Sequence, residues 1–162
     1  MVCLTGYMGC GKSSVGRELA SLLGLPFTDL DEYIEHKIGR SIPEIFREGE
    51  ERFRAVEAEA ARDIVAMAEV TGEDRVLALG GGTFTIKPIR ELLLKKTVCV
   101  YLKADEKTCL ERISDRRSRP LLQGGGCYAQ RLATYELAHY TIDTEGLTPR
   151  QCAEVVISVL NK

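Results

Sequence analysis

Along the 162 residues, short β-branched and apolar runs alternate with longer stretches in which apolar positions recur every three or four residues. That alternation predicts α/β units built on a parallel sheet. "MVCLT" reads as a first strand, "PFTDLD" as a short second and "RVLALGGG" as a buried third, with "TVCVYLKA" and "YTID" as the fourth and fifth. From Lys12 to Leu23, Val15, Leu19, Leu22 and Leu23 fall on one helical face, and Gly24 supplies a stop. "EERFRAVEAEAARDIVAMAEV" and "TPRQCAEVVISVLNK" carry the same helical period. Two stretches, "HKIGRSIPEI" and "DRRSRPLLQGGG", show neither period and are expected to be irregular. No internal repeat or low-complexity tract interrupts the pattern, so residues 1–162 are read as one domain.

Charge narrows the partners. The chain carries 22 Lys plus Arg against 24 Asp plus Glu, without the basic excess of a nucleic-acid or membrane-surface binder. Neither an apolar run of membrane-spanning length nor a signal-peptide pattern is present. The six cysteines form no C-x-x-C pair, and several lie in apolar stretches where a reduced thiol packs as a small hydrophobe. These features lead us to expect a cytoplasmic protein, acting as a monomer on a small molecule.

The run Gly6-Tyr7-Met8-Gly9-Cys10-Gly11-Lys12-Ser13 fits G-x-x-x-x-G-K-[ST], with a strand before it and an amphipathic helix after. Glycines let the backbone wrap closely enough for successive N–H groups to point at phosphate oxygens. The helix start near Lys12 adds its positive dipole end. In this motif the lysine reaches the β/γ-phosphates and the Ser13 hydroxyl ligates Mg²⁺. A chance strand–turn–helix rich in glycine is the alternative, and the complete motif in its full context outweighs it.

Such a loop serves kinases, GTPases, motors and nucleotide sensors alike. One small domain leaves no room for motor modules, and no N-K-x-D stretch is present to read guanine. Small-molecule kinases remain. The strand "VLALGGG" ends in glycines where many such enzymes place a metal-binding Asp. Asp29 and Asp31 in "FTDLDEY" sit at the strand edge where ligands gather in open α/β sheets. They are read as one metal-facing and one acceptor-facing carboxylate, against the alternative of a capped turn. Asp105 is read as a helix N-cap. "GEERFRAVE" offers Arg54, the glycines at 80–82 offer backbone N–H groups, and Arg112, Arg116, Arg117 and Arg119 concentrate positive charge ahead of "PLLQGGG". A solvated charged face and a closing lid are both open readings of that run, and nucleic-acid contact is a third that the acidic balance of the chain disfavours. Cys10, close to Lys12 and a helix start, is read as a small tolerated side chain.

With these pieces in order, the chain resembles the shikimate kinase family from end to end. The resemblance is carried by "GYMGCGKSSVGRELA", "FTDLDEYIEHKIGRSIPEIF", "GEERFRAVE", "LALGGG", "RPLL" and "RLATYELA". It implies a three-layer P-loop kinase fold with a five-stranded parallel sheet in order 2-3-1-4-5 and helices on both faces. It also implies transfer of the γ-phosphoryl group of ATP to the 3-hydroxyl of shikimate, in the route to chorismate and the aromatic amino acids. Laid on these positions, Lys12, Asp31 and Arg119 would be catalytic. ATP would be held by Gly9, Cys10, Gly11, Lys12, Ser13 and Ser14, with Arg112 and Arg119. Mg²⁺ would be held by Ser13 and, through water, by Asp29. Arg54 and Arg131 would grip the shikimate carboxylate, aided by N–H groups of Gly81 and Gly82, while Asp31 meets the reacting hydroxyl. Ile42, Phe46, Phe53, Pro120 and Leu121 would line the substrate ring. The substrate-binding region would span about 30–58 and the lid about 112–126. The stretch "QGGGCYAQ" between "RPLL" and Arg131 is shorter than the family's usual segment, which carries an extra helical piece. The rivals are another small-metabolite kinase, such as gluconate kinase, and a non-catalytic nucleotide sensor. A neutral acceptor gives no reason for two arginines, and a sensor none for Asp31.

Overall fold

The computed structural model describes residues 1–113 and 127–161; the expected lid residues Arg116, Arg117, Arg119, Pro120 and Leu121 lie outside them. Five strands form one parallel sheet: β1 (Val2–Thr5), β2 (Phe27–Asp29), β3 (Val76–Ala78), β4 (Val98–Lys103) and β5 (Tyr140–Asp143). Their spatial order is β2-β3-β1-β4-β5, as the resemblance implies. The helices are α1 (Lys12–Leu23), α2 (Leu30–Ile38), α3 (Ile42–Phe46), α4 (Glu50–Thr71), α5 (Lys87–Lys96), α6 (Glu106–Glu111), α7 (Cys127–Tyr135) and α8 (Pro149–Leu160).

The central strand β1 is buried along its whole length, with Cys3 in register with Leu77 of β3 and Cys99 of β4. A strand covered on both faces must be apolar throughout, which is why "VCLT" shows no alternation. Leu19, Ile34, Ile64, Leu93 and Val156 bring α1, α2, α4, α5 and α8 onto the core, each fully buried. Burial of one such side chain stabilises by about 1.5–3 kcal/mol, so each helix is held by packing and needs no exceptional propensity.

Residues 36–45 depart from the irregular conformation expected of them. Gly39, at φ 71°, ends α2 just after Ile38. Two residues later the Glu44 carboxylate accepts from both the N–H (2.8 Å) and the hydroxyl (2.7 Å) of Ser41, starting α3 with Pro43 in its first turn. Glu35 of α2 also accepts from the Ile42 N–H at 2.7 Å, tying the two helices together. The helices are too short for periodicity to show, but their end signals are complete.

Candidate active site

Where β1 meets α1, the chain turns through three glycines with positive φ: Gly6 at 143°, Gly9 at 81° and Gly11 at 100°. No side chain caps α1 and no acidic residue occupies its first turn. By contrast α2, α6 and α8 are each capped by a side chain, from Asp29, Asp105 and Thr148. The first N–H groups of α1, like those of α5, have no side-chain acceptor; the glycine motif and buried lysine before α1 are what suit this helix start to an anion. Lys12 is buried, its ammonium donating to the Gly6 and Tyr7 carbonyls at 2.8 and 2.9 Å, with the Cys10 sulfur at 3.8 Å.

Asp29 ends β2 and does two things. One carboxylate oxygen accepts from the N–H groups of Asp31 (3.0 Å) and Glu32 (3.4 Å), capping α2. The other accepts from the Ser13 hydroxyl at 2.5 Å. The strand stops at Asp29, which places Asp31 in the first turn of α2. The capped turn expected as one reading of this pair is present, and the same Asp29 carboxylate also meets Ser13. Asp105 caps α6 through the Thr108 N–H at 2.6 Å, as expected.

A cleft of about 500 Å³ opens over the glycine loop, lined by Gly9, Gly11, Lys12, Ser13, Ser14, Asp29, Asp31, Gly81 and Arg112 among others. Cys10 lies buried beneath it. Arg54 and Arg131 are not part of this lining; they lie against the turn Gly80–Gly82, of which Gly80 and Gly81 line the cleft. A methyl group on Gly80 would come within 3.1 Å of an Asp31 carboxylate oxygen, and one on Gly82 would overlap the Arg54 guanidinium. Arg131 donates to the Gly81 carbonyl at 3.3 Å. A methyl on Gly81 would lie 3.2 Å from the Met8 nitrogen, so the same turn abuts the phosphate loop. The three glycines are where Asp31, Arg54 and Arg131 converge.

Arg54 is held by ion pairs to Glu50 at 3.2 Å and to Glu57, and lies over the Phe53 ring, 5.6 Å from its centroid. Phe53 meets Phe46 edge-on at 5.7 Å, and Ile42 is half-buried at the start of α3.

Three residues here, Glu57, Thr83 and Tyr135, lie outside the set that the sequence singles out. Glu57 is 1% exposed, pairs with Arg54 and accepts from the Thr83 hydroxyl at 2.8 Å. Burial raises its carboxyl above the ordinary value, opposed by the charges of Arg54 and Arg131. Tyr135, fully buried, donates its hydroxyl to the Gly81 carbonyl beside Arg131. Helical spacing is the signal that could have found two of them. Glu57 stands three residues after Arg54 and Tyr135 four after Arg131, so each shares its partner's face.

The chain's likeness to known proteins agrees with this geometry. The shikimate kinase family model matches residues 8–161. Shikimate kinase from Thermus thermophilus is 44% identical over 171 residues, covering 99% of this chain and 88% of the relative. That aligned length exceeds the 162 residues here, so the relative carries residues that this chain lacks. The structure of shikimate kinase from Acinetobacter baumannii in complex with shikimate is similar at a TM-score of 0.88 and 37% identity, over 99% of this chain and 92% of that one. Shikimate kinase from Aquifex aeolicus follows at 0.84 and 28%, over 99% and 95%. A motif-complete phosphate loop, a matching sheet order and relatives of this similarity along nearly the whole chain agree: the chain is a phosphotransferase and belongs to the shikimate kinase family.

Proposed function

We propose that this chain transfers the γ-phosphoryl group of ATP to the 3-hydroxyl of shikimate, with Asp31 on the reacting oxygen and Arg54 and Arg131 on the carboxylate. The observation that carries the assignment is the meeting of those three side chains around Gly80–Gly82, against the phosphate loop. A small ring bearing a carboxylate at one end and a hydroxyl at the other matches a guanidinium pair at one end and a carboxylate at the other. Ile42, Phe46 and Phe53 supply apolar contact beside Arg54, within the substrate-binding region 30–58. Pro120, Leu121 and Arg119 complete the reading on the expected lid, 112–126.

In the reaction the acceptor oxygen forms a bond to the γ-phosphorus as the bond to the bridging β-oxygen breaks, leaving the electron pair on ADP. The acceptor proton passes to the Asp31 carboxylate, a contribution of about 10²–10⁴ in rate for a placed general base. The transition state is loose, so positioning by the loop N–H groups, Lys12 and the arginines supplies most of the remainder. The ammonium of Lys12 moves from the Gly6 and Tyr7 carbonyls to the phosphates as ATP binds. Arg112 lines the cleft where it can contact the base. The adjacent hydroxyl of Ser13 and carboxylate of Asp29 are hard oxygen donors that fit Mg²⁺, which keeps waters in its remaining positions. Bound with ATP, Mg²⁺ neutralises charge on the phosphate oxygens.

The five buried free thiols at Cys3, Cys10, Cys99, Cys109 and Cys152 support a reducing, cytoplasmic setting. Among the described residues no helix is long and apolar enough to cross a membrane. We read the working unit as a monomer.

A coupled ADP-release assay with shikimate, quinate and gluconate as acceptors tests the assignment. Release is expected with shikimate foremost. Gluconate, unlike a neutral sugar, bears a carboxylate, so the two arginines do not by themselves separate it from shikimate; equal or better turnover with gluconate would transfer the chain to another specificity.

A further inference from the structure

The catalytic reading leaves the Tyr135 hydroxyl unused, although it ends on the glycine turn of the acceptor site. We propose that Tyr135 is a positioning residue. By holding the Gly81 carbonyl, it fixes the Gly81–Gly82 peptide with its N–H turned toward an anionic acceptor. This rests on the reading of the acceptor as a carboxylate and deepens it.

The Gly81 carbonyl accepts twice, from Arg131 at 3.3 Å and from Tyr135. Both donors stand on one face of α7, a turn apart. No peptide bond among the described residues is cis. With its carbonyl toward α7, this peptide must therefore point its N–H away from α7. A peptide between two glycines is the easiest kind to flip, since no side chain obstructs the rotation. Flipped, it would present a carbonyl oxygen to the carboxylate where an N–H should be, replacing attraction by repulsion. Two hydrogen bonds to the carbonyl oppose that flip.

Arg131 cannot hold the peptide alone, because its guanidinium is shared with the ligand in the proposed complex. Tyr135 is not shared with the ligand, although its hydroxyl oxygen also meets the Arg131 guanidinium. It is fully buried, its ring packs on Tyr101 at 5.2 Å, and burial raises its phenol above the ordinary value, so it stays a neutral donor across the working pH range.

Tyr135→Phe removes the donor and keeps the ring. The full chain should show a shikimate KM raised about tenfold, with kcat and ATP KM within about twofold of wild type. With shikimate methyl ester, which lacks the charge, the KM should not move. Tyr101→Phe, in the neighbouring ring, controls for loss of a buried hydroxyl and should leave both acceptors unaffected. An unchanged shikimate KM in Tyr135→Phe overturns the inference while leaving the functional reading intact. So does a matching loss in Tyr101→Phe, or a parallel change in both substrates' KM with a lowered Tm. A wild-type chain inert toward shikimate would overturn the functional reading first and this inference with it.

Discussion

At the nucleotide end of the cleft, the groups proposed to meet the β- and γ-phosphates among the described residues come from one unbroken run, Gly6 to Ser14. The acceptor end draws Asp31, Arg54, Gly81 and Arg131 from α2, α4, the turn after β3, and α7. The first is shaped by backbone: of its positive-φ glycines, Gly6 and Gly9 press against the main chain of Leu102 and Cys109, which yields less readily than a side chain. The second is shaped by side chains braced on one another, with Glu57 behind Arg54 and Tyr135 beside Arg131. A backbone site is stiff and general, and any nucleoside triphosphate offers it the same phosphates. A braced side-chain site is adjustable, so in the proposed function specificity toward the acceptor is concentrated there.

The largest effect should come from the residue between the two ends. Asp31→Ala should lower turnover about a thousandfold, roughly 4 kcal/mol in the barrier, while ATP affinity stays nearly unchanged. Nucleotide titration and steady-state kinetics on one preparation check both halves. Retained turnover would move acceptor activation to another group. Weakened ATP binding would mean the ends are not separable.

Next in size, Gly9→Ala tests the stiffness of the loop. A methyl there would overlap the Cys109 carbonyl, at a φ of 81° that L-residues seldom adopt. Backbone strain and overpacking together should cost roughly 2–4 kcal/mol of stability and weaken ATP binding with it. A variant with wild-type Tm would show that α6 can retreat from the loop and that the nucleotide end is softer than drawn.

This same division explains what the sequence disclosed. The phosphate loop was legible because its parts are contiguous, and a motif is a local object. The helix from Lys12 to Leu23 was legible because its apolar spacing and its closing glycine coincide with its ends. Periodicity supplied only the fold class; the order of the strands came from the resemblance. Residues 36–45 misled because two short helices leave no room for a period. Glu57 and Tyr135 stayed without roles although both lie inside recognised motifs. Their importance depends on meeting Thr83 and Gly81, 26 and 54 residues away along the chain. Helical spacing pairs each with its arginine, but no local pattern encodes those longer contacts.

A smaller effect, on the acceptor side, is expected from Gly82→Ala. Its methyl would overlap the Arg54 guanidinium, the far end of a flexible side chain, so Arg54 should yield. Stability should fall by about 1–2 kcal/mol, less than for Gly9→Ala, because the displaced guanidinium leaves buried Glu57 short of a partner, while shikimate KM rises about tenfold with ATP KM unchanged. Gly9→Ala and Gly82→Ala thus set a stiff backbone against a movable side chain with the same added methyl. Similar stability losses in both would erase the distinction.

The smallest effect is a slope. Among the described residues Glu57 is the sole buried carboxylate, and the acceptor site rests on it. Burial raises its carboxyl above the ordinary value more than Arg54 lowers it, so the folded chain keeps a proton at pH values where the unfolded chain has released it. Stability from this group is therefore full below the unfolded value and declines as pH rises through the raised folded value. Glu57→Gln removes the titration while preserving the shape. The stability of wild type relative to Glu57→Gln, from urea unfolding between about pH 4 and pH 8, should fall as pH rises. An opposite slope would mean that the attraction of Arg54 outweighs burial. Glu57 would then be a stabilising ion-pair partner, and the acceptor end would draw its firmness from charge and not from enclosure.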